Sequence, residues 1–346
     1  MKIAIATVQV PFIRGGAENL AGGLGQALQA AGHEVDQITM PFQFAPVQAV
    51  ERSMAQWTQE DWTQLNGHVP DRVICLKFPT FYLNHPNKVT WILHQHRAVY
   101  DLWNTPYTQG FSNLPEATRL KQAITQQDTE ALGACRHNFT IAKNVSKRLQ
   151  RFNGLASTAL YHPPKLADHL YTAEAEPYIF FPSRLEQLKR QDLLIQAFRY
   201  VKSPVVGLIA GEGGQKGTLQ QLIADYDLSQ RVRLLGQITE AEMLAFYAHA
   251  LGVFFGPYDE DYGYVTLEAM LSQKPVITCQ DSGEPAEFVV DQETGYIVDP
   301  DPQSIAAAID QLYANASQAR QMGQAGLERY RALNISWDFV VEQLLG

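Results

Sequence analysis

The chain has 346 residues, and its 36 acidic residues outnumber its 27 Lys and Arg to give a formal net charge of −9. That length predicts two domains of comparable size, and the acidic balance argues against a general nucleic-acid-binding surface, so no nucleic-acid partner is expected. Three scattered cysteines without a CxxC pair argue against a disulfide framework and favour a reducing, cytoplasmic setting.

Strand-like apolar runs alternate with helical patterns along the first half of the chain. The N-terminal run KIAIATV predicts a buried strand; it is too short to span a membrane and lacks the cleavage residues of a signal peptide. The amphipathic stretch AENLAGGLGQALQAAG follows, and then the strand candidates HEVDQITM, RVICLK, KVTWILH and HNFTIA. This β-α-β rhythm predicts a parallel sheet with helices on both faces.

Residues 160–177 interrupt this rhythm with three prolines and little apolar periodicity, which is typical of an interdomain linker. The alternation then restarts, with strand candidates from YIFFPS and VVGLIAG through PVITC and GYIV. The sequence therefore predicts two doubly wound α/β domains, 1–165 and 166–328, followed by a helical segment, 329–346. Ligands of such sheets bind beyond the carboxyl ends of the strands, so a cleft between the domains is the default substrate site.

Two glycine-rich turns follow predicted strands. In RGGAENL, Gly15 and Gly16 permit the close approach of a ligand, and the amides of the following helix can hold an anion. In GEGG, Gly211 would let the backbone approach a ligand in the same way. A tight turn that needs glycine for geometry alone explains both motifs equally well, and neither is the GxGxxG fingerprint of dinucleotide binding.

Two cations follow the first strand of the second domain, in FPSRLEQLKRQ. Arg184 and Lys189 suit a diphosphate, because Arg grips oxygens in a bidentate way and Lys adds a point charge. The alternative is a solvated basic turn with Glu186 as the partner.

The stretch DEDYGYVTLEAM joins a strand candidate to a helix candidate. Gly263 would let the backbone pass close to a phosphate, which the amides of Tyr264 and Val265 would face. Glu260 and Glu268 would accept hydrogen bonds from sugar hydroxyls, Glu268 from a ribose and Glu260 beside the reacting carbon. An acidic helix N-terminus is the alternative. A DxD metal clamp accounts less well for the glycine and the spaced second carboxylate.

The stretch TWILHQHR places His94 at the carboxyl end of a predicted strand, where a ligand would lie. A histidine satisfied by its own loop backbone is the alternative. His94 and His96 point to opposite faces of an extended segment and lack a third ligand, so no metal site is expected.

Together these motifs resemble the retaining glycosyltransferases of family 4, which have the GT-B fold: two Rossmann-like, doubly wound parallel-sheet domains that face a central cleft. The family's GG-A-E, R-L-x-x-x-K and E-x7-E motifs match, in that order, Gly15–Glu18, then Arg184, Leu185 and Lys189, then Glu260 and Glu268. The stretch KPVITCQDSGEPAEFVVDQETGYIVDP is similar to the family's C-terminal motif. Arg190 stands where the family usually has glycine, and QDSGEPAE varies a loop of small residues, which leaves the identity of the sugar open.

The resemblance implies transfer of a sugar from a nucleoside diphosphate sugar, with UDP or GDP as the nucleotide, to a hydroxyl acceptor. It implies retention of anomeric configuration, no metal and no separate cofactor. Arg184 and Lys189 would neutralise the leaving diphosphate, and His94 would contact the donor sugar. The residues expected to be catalytic are Glu260, His94, Lys189 and Arg184. The residues expected to bind the donor are Gly15, Gly16, Arg184, Lys189, Gly211, Gly263, Tyr264, Val265 and Glu268.

The resemblance also implies a glycan or glycolipid acceptor in cell-envelope biosynthesis, and a last helix that packs back on the first domain. A cytoplasmic location would suit this role, with peripheral contact at the inner face of the membrane. The cations of KNVSKRLQRFNG suit anionic lipid, although a solvated basic helix face is the commoner explanation. The alternatives are a sugar-nucleotide epimerase or a phosphorylase on the same fold, and a non-catalytic sugar-nucleotide-binding protein.

Overall fold

The computed structural model describes residues 1–13, 15–108 and 110–346, and these form two compact units. The first unit comprises Met1–Lys165 and Ile335–Gly346, and the second comprises Leu166–Asn334. Each unit is an α/β domain built on its own sheet of parallel strands.

The first unit alternates strands and helices. Its strands are β1 (Lys2–Gln9), β2 (Glu34–Pro41), β3 (Arg72–Cys75), β4 (Lys88–Ile92), β5 (Asn138–Thr140) and β6 (Thr158–Ala159). The helices between them are α1 (Gly16–Ala30), α2 (Val47–Gln59), α3 (Ala117–Gly133) and α4 (Lys143–Asn153). In the described residues the sheet has the order β2-β1-β3-β4-β5-β6, and each neighbouring pair is parallel. The direction of the strand order reverses between β1 and β3.

The second unit repeats this architecture. Its strands are β7 (Tyr178–Pro182), β8 (Val206–Ala210), β9 (Val232–Gly236), β10 (Gly252–Phe254), β11 (Val276–Cys279) and β12 (Gly295–Val298). Its helices are α5 (Gln191–Ala197), α6 (Lys216–Asp225), α7 (Glu240–His249), α8 (Tyr264–Leu271), α9 (Glu284–Phe288), α10 (Pro302–Ala314) and α11 (Ala316–Ala332). Its parallel sheet, as far as the chain is described, has the order β12-β11-β10-β7-β8-β9, which reverses between β7 and β10.

The central strands are buried on both faces, which explains why they are continuous apolar runs in the sequence. In β1, Ile3 and Ile5 are at most 2% exposed, and in β7 Ile179 and Phe180 are fully buried. A parallel sheet that helices cover on both sides needs apolar side chains at successive positions rather than alternating ones. The predicted doubly wound α/β class is confirmed for both units.

The last helix, α12 (Trp337–Leu345), lies in the first unit. Trp337 packs edge-on against Trp91 of β4 and lies directly over Gly23 of α1, where a Cβ atom would collide with the indole ring. The Arg72 guanidinium donates to the carbonyl of Leu344 at 2.7 Å. The preceding helix α11 stays in the second unit, so the segment that joins the first unit begins at Ile335.

A buried carboxylate lies at the centre of the first unit. Asp128 of α3 is fully buried and accepts hydrogen bonds from Tyr82 at 2.5 Å, Tyr100 at 2.7 Å and Gln95 at 2.8 Å. Burial raises the pKa of Asp128 to about 6, and the three hydrogen bonds, which stabilise the charged form, oppose this rise. The pKa of this carboxyl therefore lies closer to neutrality than its ordinary value of 3.8.

Candidate functional site

Four of the loops at the carboxyl edge of the second sheet carry the residues of the candidate site, and this edge is shared because the strands run in the same direction. They follow β7, β8, β10 and β11. In a doubly wound sheet, ligands bind at this edge, at the point where the strand order reverses. Here that point lies between β7 and β10, and the loops on either side of it carry Lys189 and Glu260.

The structure brings Lys189 and Glu260 into direct contact across this point. The Lys189 ammonium donates to Glu260 Oε2 at 2.5 Å, and the two side chains are only 17% and 18% exposed. A charge-assisted hydrogen bond at such partial burial is stronger than an exposed ion pair. The contact uses one of the three N–H donors of Lys189. The Lys189 Nζ atom also lies 5.6 Å from the centre of the Phe255 ring.

The main chain holds Glu260 in place as well. Its N–H donates to the carbonyl of Ser282 at 2.9 Å, and its carbonyl accepts from the N–H of Glu284 at 3.1 Å. These bonds form a short parallel bridge between Glu260 and Gly283. The loops after β10 and β11 are therefore joined at the residue that was expected to orient the donor sugar.

Arg184 lies in the same loop as Lys189 but does not share its contact. Its side chain is exposed and forms no ion pair with any residue that the structure describes, including Glu186. Its carbonyl accepts from the Gln191 side chain at 2.8 Å, and the N–H of the next residue, Leu185, donates to the carbonyl of Glu212 at 3.0 Å. Arg184 is thus an accessible cation on an anchored loop.

Gly211 is needed for packing within the protein. Its φ of +134° is one that other residues rarely adopt, and a Cβ atom there would collide with the carbonyl of Ser183. The loops after β7 and β8 pass too close for any side chain at this position. The turn-geometry explanation therefore accounts for this glycine, and its contact with a donor stays a prediction.

Gly263 sets the start of α8. Its φ is +85°, in the left-handed region that favours glycine, and an added Cβ atom would lie 2.7 Å from Pro285 Cγ. Helix α8 begins at the next residue, so Tyr264 and Val265 supply two of the N-terminal amides that have no partner within the helix. This is the arrangement that the anion-binding prediction requires.

Glu268 lies one helical turn further along α8 and is held by a residue that the sequence analysis missed. The hydroxyl of Tyr247, on α7, donates to Glu268 Oε2 at 2.6 Å. Burial raises the pKa of Glu268, and the bond from Tyr247 opposes that rise. The other carboxylate oxygen accepts no hydrogen bond from the described residues, which is consistent with the predicted ribose contact. Tyr247 is fully buried, so in the sequence it is indistinguishable from an ordinary core residue of α7.

In the first unit, Gly15 and Gly16 form the N-terminus of α1, next to the reversal point between β1 and β3. The N–H of Gly15 already donates to the carboxylate of Glu18 at 2.7 Å. Glu18 therefore caps the helix that the glycines begin. An anion at this position would have to share the Gly15 N–H with the carboxylate of Glu18.

His94 follows β4 and is half-buried. Its Nδ1–H donates to the carbonyl of Gln95 at 2.8 Å, which is the loop contact that the alternative explanation proposed. In a neutral ring this bond makes Nε2 the acceptor nitrogen.

His96 has a different environment, as expected from its spacing. It is 3% exposed, burial lowers its pKa to about 4, and the rings around it are those of Phe42, Phe44, Phe78 and Phe111. Nowhere in residues 1–13, 15–108 and 110–346 do three His, Cys, Asp or Glu side chains gather in an arrangement that could hold a metal ion.

The basic helix α4 exposes fewer cations than the four that its sequence contains. Lys143, Lys147 and Arg151 are exposed at successive four-residue spacings, but Arg148 is buried and lies 3.8 Å from Asp101. The surface patch therefore has three cations rather than four, since helical spacing turns Arg148 inward. No helix in the described part of the chain has the length and apolarity needed to cross a bilayer.

Comparison with known families identifies the second unit. Residues 166–329 match the family model described as glycosyl transferases group 1. The second unit belongs to this family. The predicted resemblance to a glycosyltransferase family is confirmed for the second unit, and the segment from Arg184 to Glu268 lies within the match.

Relatives of known function or structure agree with this assignment. A D-inositol 3-phosphate glycosyltransferase of Corynebacterium diphtheriae is 32% identical over 174 residues, which cover 47% of this chain and 40% of the relative. The match thus spans less than half the length of that protein. A sucrose-phosphate synthase from Thermosynechococcus elongatus has 20% identity and a TM-score of 0.76, with 99% of this chain and 97% of that chain covered.

The Anabaena protein HepE, solved with UDP and glucose, has 15% identity and a TM-score of 0.73, with 100% of this chain and 98% of that chain covered. At these identities the likeness concerns the fold. It confirms the predicted GT-B fold over the whole chain.

Proposed function

We propose that this protein is a retaining glycosyltransferase of family 4 that transfers a sugar from a nucleoside diphosphate sugar to a hydroxyl acceptor. The observation that carries the proposal is the contact between Lys189 and Glu260 at the reversal point of the second sheet. It places a cation suited to a diphosphate beside a carboxylate suited to sugar hydroxyls, close to the N-terminus of α8.

The donor is proposed to be a UDP-sugar, with a GDP-sugar as the second choice. The structure of the similar HepE protein with UDP and glucose supports a uridine nucleotide. Glu268 would accept hydrogen bonds from the ribose with its second oxygen, while Tyr247 holds the first. The exposed position of Arg184 allows its guanidinium to meet the diphosphate in a bidentate way.

Catalysis would depend on stabilising the departing diphosphate. Lys189 keeps two N–H donors beyond its bond to Glu260, and the amides of Tyr264 and Val265 add partial positive charge. Groups that are already oriented toward developing charge need no rearrangement during the reaction. We propose that these groups act without a metal or a separate cofactor.

The acceptor is proposed to be a cell-envelope glycolipid or polysaccharide intermediate on the cytoplasmic side of a membrane. The similar proteins are named for inositol phosphate and sucrose phosphate chemistry, so the fold is compatible with different acceptors. The exposed cations Lys143, Lys147 and Arg151 support peripheral contact with anionic lipid.

The test is an incubation of the full chain with UDP-, GDP- and ADP-sugars, with and without a cell-envelope extract, followed by measurement of free nucleoside diphosphate. Release that depends on the extract, with a product of unchanged anomeric configuration by NMR and undiminished turnover in EDTA, supports the proposal. Epimerised donor without any acceptor would instead show a sugar-nucleotide epimerase. Binding without turnover in every combination would show a binding protein.

A further inference from the structure

Arg190 makes an unusually complete set of hydrogen bonds at the carboxyl edge of the second sheet. Its Nε donates to the carbonyl of Gly256 at 2.7 Å, and its Nη2 donates to the carbonyl of Pro257 at 2.9 Å. Nη1 and Nη2 also grip the two carboxylate oxygens of Asp281, at 2.8 and 2.6 Å. The Arg190 side chain is only 11% exposed.

These bonds join three loops. Arg190 lies in the loop after β7, Gly256 and Pro257 lie in the loop after β10, and Asp281 lies in the loop after β11. The main chain adds a parallel set of bonds, because the N–H of Tyr258 donates to the carbonyl of Leu188 and that of Asp259 donates to the carbonyl of Asp281. The same three loops carry Lys189, Glu260 and the bridge at Gly283.

The number of N–H groups of Arg190 that already donate to protein atoms argues against a role as a phosphate ligand. A guanidinium has five N–H donors, and these contacts occupy four of them. Asp281 also balances its charge with a bidentate ion pair, which is the strongest arrangement for Arg and carboxylate. Arg190 is therefore committed to the protein, unlike the exposed Arg184.

The two departures from the family pattern are thus partners of each other. The resemblance to family 4 implies glycine at the position of Arg190 and a different loop in place of QDSGEPAE, which contains Asp281. The φ of Arg190 is +54°, a left-handed conformation that favours glycine. An arginine kept in this conformation needs a compensating interaction, and the bonds to Asp281 and the two carbonyls supply it.

We propose that Arg190 and Asp281 form a clamp that positions Lys189 and Glu260 for the reaction, without contacting the donor. This inference rests on the proposed function for its kinetic consequences, although the positioning itself can be measured without substrate. A displacement of about 1 Å at reacting groups can cost on the order of 100-fold in rate. Loss of the clamp should therefore lower kcat while leaving nucleotide affinity almost unchanged.

Arg190→Gly is the sharpest variant, because glycine suits the left-handed backbone and only the side chain is lost. We expect hydrogen exchange of residues 256–263 to become about 10-fold faster, with no change in β8, since the loop loses bonds that protect it. With the UDP-sugar that the wild type uses, kcat should fall about 10- to 100-fold. KM for that donor and Kd for UDP should stay within about threefold, the pattern of an interaction lost in the transition state only.

Asp281→Ala should show the same pattern, and the double variant should be no slower than Arg190→Gly within about twofold, because partners in one network are not additive. The matched control is Arg231→Ala. Arg231 Nη2 donates to the carbonyls of Ser203 and Val205 just before β8, at the opposite edge of the sheet. Its loss should lower the Tm without lowering kcat.

If hydrogen exchange of residues 256–263 and kcat are both unchanged in Arg190→Gly, the proposed clamp is wrong. A large rise in the Kd for UDP would also contradict it, because that result would make Arg190 a donor ligand. Losses that multiply in the double variant would show that the two residues do not act as a unit. If exchange becomes faster but the wild type turns over no nucleotide sugar, the clamp stands and the proposed function fails.

Discussion

The hydroxyl of Tyr247 donates to Glu268 at 2.6 Å, from a position 21 residues earlier in the chain. Two neighbouring helices, α7 and α8, are thereby joined at the carboxylate proposed to hold the ribose. Burial would otherwise favour the protonated carboxyl, and a protonated oxygen is a poorer acceptor for a diol. Tyr247 therefore favours the form of Glu268 that the proposed role requires.

Tyr247→Phe should move the acidic limb of the kcat/KM profile for the UDP-sugar to higher pH. The variant removes a hydrogen bond to the charged form, so the pKa of Glu268, already raised, rises further. Tyr178→Phe is the control, because that hydroxyl donates to the Phe246 carbonyl at 2.8 Å. Equal profiles in both variants would rule out this role for Tyr247.

Lys189→Ala and Glu260→Ala should each lower kcat on the order of 100- to 1,000-fold, because each removes a group that acts on the transition state. Circular dichroism should show that both variants still fold. The double variant should lose little more than either one, since the two residues act through one contact.

Lys216→Ala is the matched control for the Lys189 variant. Lys216 pairs with Glu212 on the surface of the same unit, and both side chains are more than 40% exposed. Such a pair contributes about 0–1 kcal/mol to stability, and its loss should leave turnover intact. Wild-type rates in both Lys189→Ala and Glu260→Ala would contradict the mechanism.

Gly263→Ala should destabilise the protein by about 1–3 kcal/mol, because alanine is strained at a φ of +85° and its methyl group would press on Pro285. Urea unfolding followed by fluorescence measures the difference. Gly217→Ala is the control, since nothing lies within 4 Å of the added atom there. A Gly263→Ala protein as stable as Gly217→Ala would show that the start of α8 is more adaptable than its geometry indicates.

Asp128→Asn should make the first unit less sensitive to pH. The pKa of Asp128 is about 6 in the folded protein, above its ordinary value of 3.8, so the folded state binds the proton more tightly. The Asp128 contribution to stability is therefore present below pH 4 and is lost as pH rises to about 6. We expect the free energy of unfolding of the wild type, relative to Asp128→Asn, to fall across that window in urea titrations. A constant difference between pH 4 and pH 7 would contradict the raised pKa.

Much of the fold was predictable because parallel strands covered on both faces leave continuous apolar runs such as KIAIATV and YIFFP. That topology places Lys189 and Glu260 after adjacent strands, but their direct contact depends on loop conformations that the sequence pattern does not determine. The bond from Tyr247 to Glu268 was not predictable, because in the sequence Tyr247 is indistinguishable from an ordinary aromatic core residue. The pairing of Arg190 with Asp281 also depends on loop conformations, which propensity and periodicity do not determine.

The bond between Gly15 and Glu18 was also not predictable from the sequence. A glycine pair before a helix indicates free amides, but whether a protein carboxylate already occupies them depends on a rotamer of Glu18. The same sequence motif is therefore compatible with an open anion site and with a helix N-terminus that a carboxylate caps.

The placement of Trp337 against Trp91 and α1 makes the first unit discontinuous in the chain. During translation, the sheet of this unit emerges early, but the indole that covers Gly23 emerges only after the whole second unit. The surface of the first unit around Gly23 therefore stays uncovered while the second unit is being synthesised. The first unit can therefore be completed only after the second unit has been synthesised.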